Sequence, residues 1–311
     1  MRATKARRVP GHIVLVVVVS FAISAPLRAQ VRGVYPVGMN ATNAGVMPAP
    51  GFSYSNLFVF FSRDEDKDAD GNTRATGENS IMMDMNSFIW VSKKQKFGGA
   101  VFSASATLPI ANNSLTSDLH GALSGGGGFA DSYYQPVILG WHRQRVDIKA
   151  IYGFLAPTGQ FRADANTNVG SGYWTSVVAS GQTVYLNAHK DTAASVFQMY
   201  EFHGKQEGTM IRPGQTFNLD YSLTRTFPLQ RELRLQLGIV GYGQWQTTDK
   251  RGPTVTPESA TAHYRVNALG VGANVLLPER RMSLGFKYFH EFACRSTFQG
   301  YTLQISGAIT F

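Results

Sequence analysis

The chain has 311 residues, 43% of them hydrophobic, with a net charge of +9 and a single cysteine, Cys294. One cysteine excludes an intramolecular disulfide. Five of the basic residues and none of the acidic ones fall in residues 1–29, so without that stretch the charge drops by five to about +4 and no Lys/Arg-rich stripe remains. Nucleic-acid binding thereby loses its compositional support, and no nucleic-acid partner is expected.

The first thirty residues read as a secretory signal. Arg2, Lys5, Arg7 and Arg8 precede an apolar run from Ile13 to Ile23, followed by small residues around Ala25 and Ala29. The run is too short to span a bilayer, which needs about twenty residues, so cleavage after Ala29 is expected. Residues 30–50 are assigned to a periplasmic N-terminal segment, and the rest has no 18-residue apolar run. An exported chain without disulfides or spanning helices, if it sits in a membrane, must be a closed barrel, since only helices and closed barrels satisfy every backbone group in lipid.

From residue 51 onward, alternation and turn residues predict about twelve strands: 51–62, 80–92, 98–110, 133–142, 146–155, 172–187, 192–203, 215–227, 233–247, 263–277, 282–295 and 301–311. The fold class is therefore all-β, a transmembrane antiparallel barrel of about twelve strands over 51–311. In TFNLDYSL, Phe217, Leu219, Tyr221 and Leu223 alternate with Asn218, Asp220 and Ser222; in LRLQLGIVGYGQW, Leu233, Leu235, Leu237 and Ile239 oppose Arg234 and Gln236. The segments 80–92 and 192–203 alternate poorly, and their registers stay open. Every second connection is short (KKQKF, RQR, AHKD, PLQRE, PERR), whereas RDEDKDADGNTRATGEN and ANNSLTSDLHGALSGGGGFADS are long. That sorting is a membrane-barrel signature with both termini on the short-turn side. Phe311, closing the alternating run YTLQISGAITF, is similar to the terminal aromatic read by the barrel-assembly machinery, an expected partner alongside outer-membrane lipid.

Several stretches resemble, in order, the outer-membrane proteins associated with the meta-pathway of phenol degradation: YPVGMNATNAGVMPAPGFSY, DADGN, YYQPVILGWH, YGFLAPTGQF, NVGSGYW, the pair Tyr200-Glu201, and the closing YFHEFACRSTFQGYTLQISGAITF. The resemblance implies an outer-membrane barrel that admits small hydrophobic or aromatic molecules. It brings no catalytic residues and no cofactor.

Other motifs are weaker. Asp66, Asp68, Asp70 and Gly71 match the start of a calcium loop, but Glu78 comes one place late and no helix flanks it, so the 64–72 stretch reads first as a surface hairpin. GGGGF at 125–129 lacks the Lys and Ser/Thr of a phosphate loop and reads as a flexible external loop. No HExxH or GxSxG occurs, and no metal site is assigned. Charges on strands must avoid lipid, where a mid-bilayer Arg or Lys costs about 2–4 kcal/mol. Asp147, Lys149, Glu201, Asp220, Arg234, Lys287 and Glu291 are therefore assigned to the lumen, with Phe197 and Met199 beside them. The functional readings are passive uptake of a small hydrophobic solute, a structural or surface-interaction barrel with a plugged lumen, and an outer-membrane hydrolase.

Overall fold

The computed structural model describes residues 32–96, 98–117, 121–163, 165, 167–230 and 232–311. It contains thirteen strands: β1 Gly51–Lys67, β2 Thr73–Lys96, β3 Ala100–Ser117, β4 Gly121–Phe129, β5 Ser132–His142, β6 Val146–Ala156, β7 Thr175–Tyr185, β8 Thr192–His203, β9 Thr216–Gln230, β10 Leu233–Gln246, β11 Arg265–Leu277, β12 Met282–Arg295 and β13 Thr297–Thr310. All but β4 form one antiparallel ring. β1 pairs with both β2 and β13, and β2 with β3, so no edge is left open. The molecule is thus a closed twelve-stranded barrel, with β4 paired only to the outer half of β3 (Ile110↔Phe129 to Ser117↔Gly121).

Several expectations are corrected. GGGGF, read as a loop, lies in β4. The first hairpin stays in strand to Lys67 and resumes at Thr73, so the acidic stretch is mostly ladder closed by a turn at 68–72. The expected periplasmic segment is the largest change: over 32–49 it lies inside the barrel, with Tyr35, Val37, Ala41 and Ala44 buried among strand residues. The first described residues do not lie on the short-turn side, because Arg32 bonds to Thr297 and Phe298 at the long-loop end. From there the segment descends to Gly51 at the other end.

The period-two pattern places apolar side chains outward and a mostly polar set inward. On β9, Asn218, Asp220, Ser222 and Thr224 are buried while Leu223 is exposed; on β12, Lys287, Phe289 and Glu291 are buried while Leu284, Phe286 and Phe292 are exposed. The irregular segments now have a physical reason. On β8 the inward set includes Phe197 and Met199, because those positions face the threaded segment and not water. On β2, Met83 and Met85 point inward while Asp84 and Asn86 point outward between Met82 and Phe88. Aromatic pairs mark both rims: Phe52 stacks on Phe88 and Phe311 at the short-turn end, and Phe60 and Tyr288 meet Tyr301 nearer the loops.

Candidate functional site

The lumen is organised by the threaded segment. Arg32 places Nη1 2.7 Å and Nη2 3.1 Å from the two carboxylate oxygens of Glu291, and donates Nε to Thr297 at 2.9 Å. Glu291 also accepts from Tyr242 Oη at 2.9 Å and Gly300 N at 3.1 Å. One turn further in, Glu201 accepts from the backbone N–H groups of Val34 (2.9 Å) and Tyr35 (3.1 Å), and from Asn218 Nδ2 at 2.7 Å.

The tightest clamp surrounds residues 38–40. Asp220 accepts from Gly38 N (2.9 Å), Asn40 N (3.1 Å) and Tyr35 Oη (2.6 Å). From the other side Lys287 Nζ donates to the carbonyls of Gly38 (2.8 Å) and Met39 (2.9 Å) and to Gln304 Oε1 (3.2 Å). A non-repetitive backbone buried in a barrel has orphan donors and acceptors, and this anion and cation satisfy both kinds. Gly38 sits at φ +82°, a left-handed turn that favours glycine, with the Phe289 ring against it. Lower down, Asn43 exchanges amide bonds with Gln236 at 3.1 Å each way, and Gly45 N donates to Thr183 Oγ1 at 3.0 Å. A Cβ on Gly45 would lie 2.0 Å from the Asp147 carbonyl oxygen, so only glycine allows the segment to press against β6 there.

Four of the seven lumen-assigned residues, Glu201, Asp220, Lys287 and Glu291, therefore converge on residues 32–40. Asp147 stands apart near the short turns, accepting from Tyr185 Oη at 2.6 Å and paired with His142. Lys149 shares its inward face, half-buried between Gly140 and Gly181, and has no hydrogen-bond or ion-pair partner among the described residues. Arg234 has the inward parity of Gln236 but lies exposed at the short-turn rim. Sequence reasoning missed Arg32, Tyr35, Gly38 and Asn40. The available signal was the apolar content of this stretch, Val34, Tyr35, Val37, Met39, Val46 and Met47, which suits burial better than a solvated tail.

The segment does not fill the lumen. Beside Gly33–Pro36 a cavity of about 240 Å³ opens against β2, β3, β5, β6 and β8. Its apolar lining includes Met83, Met85, Tyr133, Leu155 and Met199, with Asp131 and Ser171 at the loop side. Asp131 is already engaged, accepting from Gly159 N at 3.0 Å and Ser171 N at 2.7 Å.

Two other groupings have chemical interest. His203 places Nδ1 2.9 Å from Thr175 Oγ1 and Nε2 3.3 Å from Glu201, a hydroxyl–imidazole–carboxylate row. All three side chains are buried, with Tyr173 edge-on to the imidazole, so an acyl substrate has no path to the hydroxyl. In the acidic hairpin, Arg74 pairs with Asp66 and Lys67 with Glu65. Asp68 accepts from Asn72 N at 2.8 Å and Asp70 N at 3.0 Å, and these backbone bonds, that from Asn72 foremost, hold its carboxyl below the ordinary range. The carboxylates close the turn, and among the described residues no cluster of three or more His, Cys, Asp or Glu side chains could hold a metal.

A family model described as "Putative MetA-pathway of phenol degradation" matches residues 63–306. No curated protein matches the chain. Among solved structures, the COG4313 outer membrane channel from Pseudomonas putida F1 superposes with a TM-score of 0.70 at 13% identity, over 87% of this chain and 98% of that one. The beta domain of the Bordetella autotransporter BrkA superposes with a TM-score of 0.53 at 10% identity, over 84% of this chain and 100% of that one. At these identities the likeness is one of fold.

Proposed function

The chain belongs to the family described as putative MetA-pathway of phenol degradation, and from that premise we propose that it is an outer-membrane conduit for passive uptake of small hydrophobic or aromatic molecules. The observation that carries the reading is the apolar cavity of about 240 Å³ beside the threaded segment. A hydrophilic pore would be lined by charges facing water; here four lumenal charges are spent on holding protein, and the free space is lined by Met83, Met85, Tyr133, Leu155 and Met199. Thioethers and rings form an adaptable apolar surface that accepts solutes of varied outline, and a pocket of this size suits a one- or two-ring hydrocarbon. The fold's likeness to an outer membrane channel supports the same reading. Equilibrium dialysis of naphthalene against the purified barrel tests it. Binding should saturate and should fall sharply in Met199→Trp, which fills the cavity; equal partitioning into wild type, variant and empty detergent would remove its basis.

A second reading has its own observation. The segment is bonded along its length, from Arg32–Glu291 to Gly45–Thr183, as a permanent plug would be. A purely structural or surface-interaction barrel should neither conduct ions nor bind naphthalene, whereas a conduit should bind the solute even where ionic conductance is small.

A further inference from the structure

Among the described residues the outer wall carries a carboxylate at mid-height. At mid-height the outward side chains on most strands are apolar, among them Leu237, Ile239, Leu269, Val271, Leu284, Phe286 and Ile305. On β1 and β2 they are Tyr54, Asn56, Asp84 and Asn86. Asn56 and Asn86 face each other across the ladder, and Asp84 is opposite Phe58. Asn56 Nδ2 donates to Asp84 Oδ1 at 2.5 Å, Asn86 Nδ2 to Asp84 Oδ2 at 3.3 Å, and Tyr54 Oη to Asn86 Oδ1 at 2.6 Å.

Depth makes this costly. Asn56 lies four residues from Phe52, which belongs to the short-turn rim, and four from Phe60, which meets Tyr301 nearer the loops. On strands tilted about 40° that is the middle of an apolar band about 25 Å tall. A carboxylate offers about four lone-pair sites, and the cluster fills two of Asp84's. Asn56 Nδ2 also donates to Asn86 Oδ1 at 3.4 Å, which uses both its N–H groups; its own carbonyl accepts no bond among the described residues, and the Asn86 amide keeps one further N–H. Lipid tails can supply nothing to these groups, and an ionisable side chain at this depth normally faces protein or water.

We propose that this face is covered by a second copy of the chain, joined wall to wall through β1–β2 about a two-fold axis. The cluster is self-complementary, with an unused N–H on Asn86 and unused acceptor sites on Asp84, so that about a two-fold axis the Asn86 of each copy can donate to the Asp84 of the other. Around it Phe58, Met82 and Phe88 are 38%, 40% and 40% exposed, an apolar surround for two walls to share. A bound amphiphile fits less well, because its polar head would have to leave the interface for the bilayer centre. The far wall at β7–β8 offers no equivalent: there Ser180 donates to Gln198 at 2.8 Å, and no charged side chain among the described residues points outward at mid-height.

Cross-linking in liposomes tests this with the full chain, since Cys294 is buried and leaves an introduced thiol as the reactive one. Phe58→Cys with a short bismaleimide should give a dimer, and Val178→Cys on the far wall should not. Adding Asp84→Leu to Phe58→Cys should lower the dimer yield about tenfold or more, as expected for losing a charge-assisted hydrogen bond from each side, while the barrel stays heat-modifiable. If the leucine variant fails to assemble, Asp84→Asn replaces it, with a smaller drop expected. Equal yields from both cysteine positions, an undiminished yield without the carboxylate, or a monomer carrying a co-purified amphiphile in native mass spectrometry would each overturn the proposal.

Discussion

Glu291→Gln removes the counter-charge of Arg32 with almost no change of volume. In the native protein one carboxylate oxygen accepts from Arg32 Nη1 and Tyr242, the other from Arg32 Nη2 and Gly300 N. An amide nitrogen at the second position meets two N–H donors, and at the first it meets Arg32 Nη1 and a Tyr242 hydroxyl that can turn to accept, so in either case one of the two bonds to Arg32 is lost and Arg32 is left buried without an anion. Breaking a buried pair from one side costs about 3–5 kcal/mol. The strand ladders do not depend on this side chain, so the cost falls on the docking of residues 32–40. A loss of that size raises the undocked population by about two to four orders of magnitude. Single-channel recording of the purified barrel should therefore show openings that are rare in the wild type and frequent in the variant, with heat-modifiability retained. Openings as rare as wild type, at unchanged thermal stability, would refute the view that this pair holds the segment in the lumen.

Further outcomes follow from other parts of the molecule. Asp220→Asn should act in the same direction as Glu291→Gln, because the amide nitrogen would face the N–H of either Gly38 or Asn40; limited proteolysis between residues 36 and 44 reads the loosening. Lys149→Met should raise thermal stability, since Lys149 is desolvated with no partner among the described residues; a lower melting temperature would mean the ammonium is satisfied. Phe311 is 68% exposed and touches Phe52 only at the rim, so Phe311→Ala should lower assembled barrel in cells yet leave refolding into detergent nearly unchanged. A biotin-acceptor peptide placed ahead of Gln30 should be reached from the same membrane side as Asp70→Cys, because Arg32 lies at the long-loop end; labelling from opposite sides would reverse the threading.

How much of this was written in the sequence depends on how local each interaction is. The ring was legible because strand alternation is a two-residue signal: Leu219, Tyr221 and Leu223 against Asn218, Asp220 and Ser222 need no tertiary knowledge. The threaded segment was not, since its bonds join residues 138 to 267 positions apart, as in Gly45–Thr183 and Gln304–Val37, and a segment with no repeat of its own leaves no periodic trace. That hidden partner also disturbed the strands facing it. Phe197 and Met199 break the polar-inward rule because they meet Tyr35 or the cavity and not water. Asp84 disturbed β2 from the other side, by pointing outward. Inward parity could be assigned to Glu201, Asp220, Lys287 and Glu291, but the choice between lining a wet path and gripping a chain required knowing what lies across from them.

The central claim is that the space beside the threaded segment carries an apolar solute across the outer membrane. The most direct measurement is the initial rate of naphthalene uptake into cells with an intact lipopolysaccharide leaflet, comparing wild type, Met199→Trp and a deletion strain at matched barrel abundance. The account predicts fast uptake with wild type and rates near the deletion strain for Met199→Trp, whose side chain occupies the cavity. Equal rates in all three strains would contradict it.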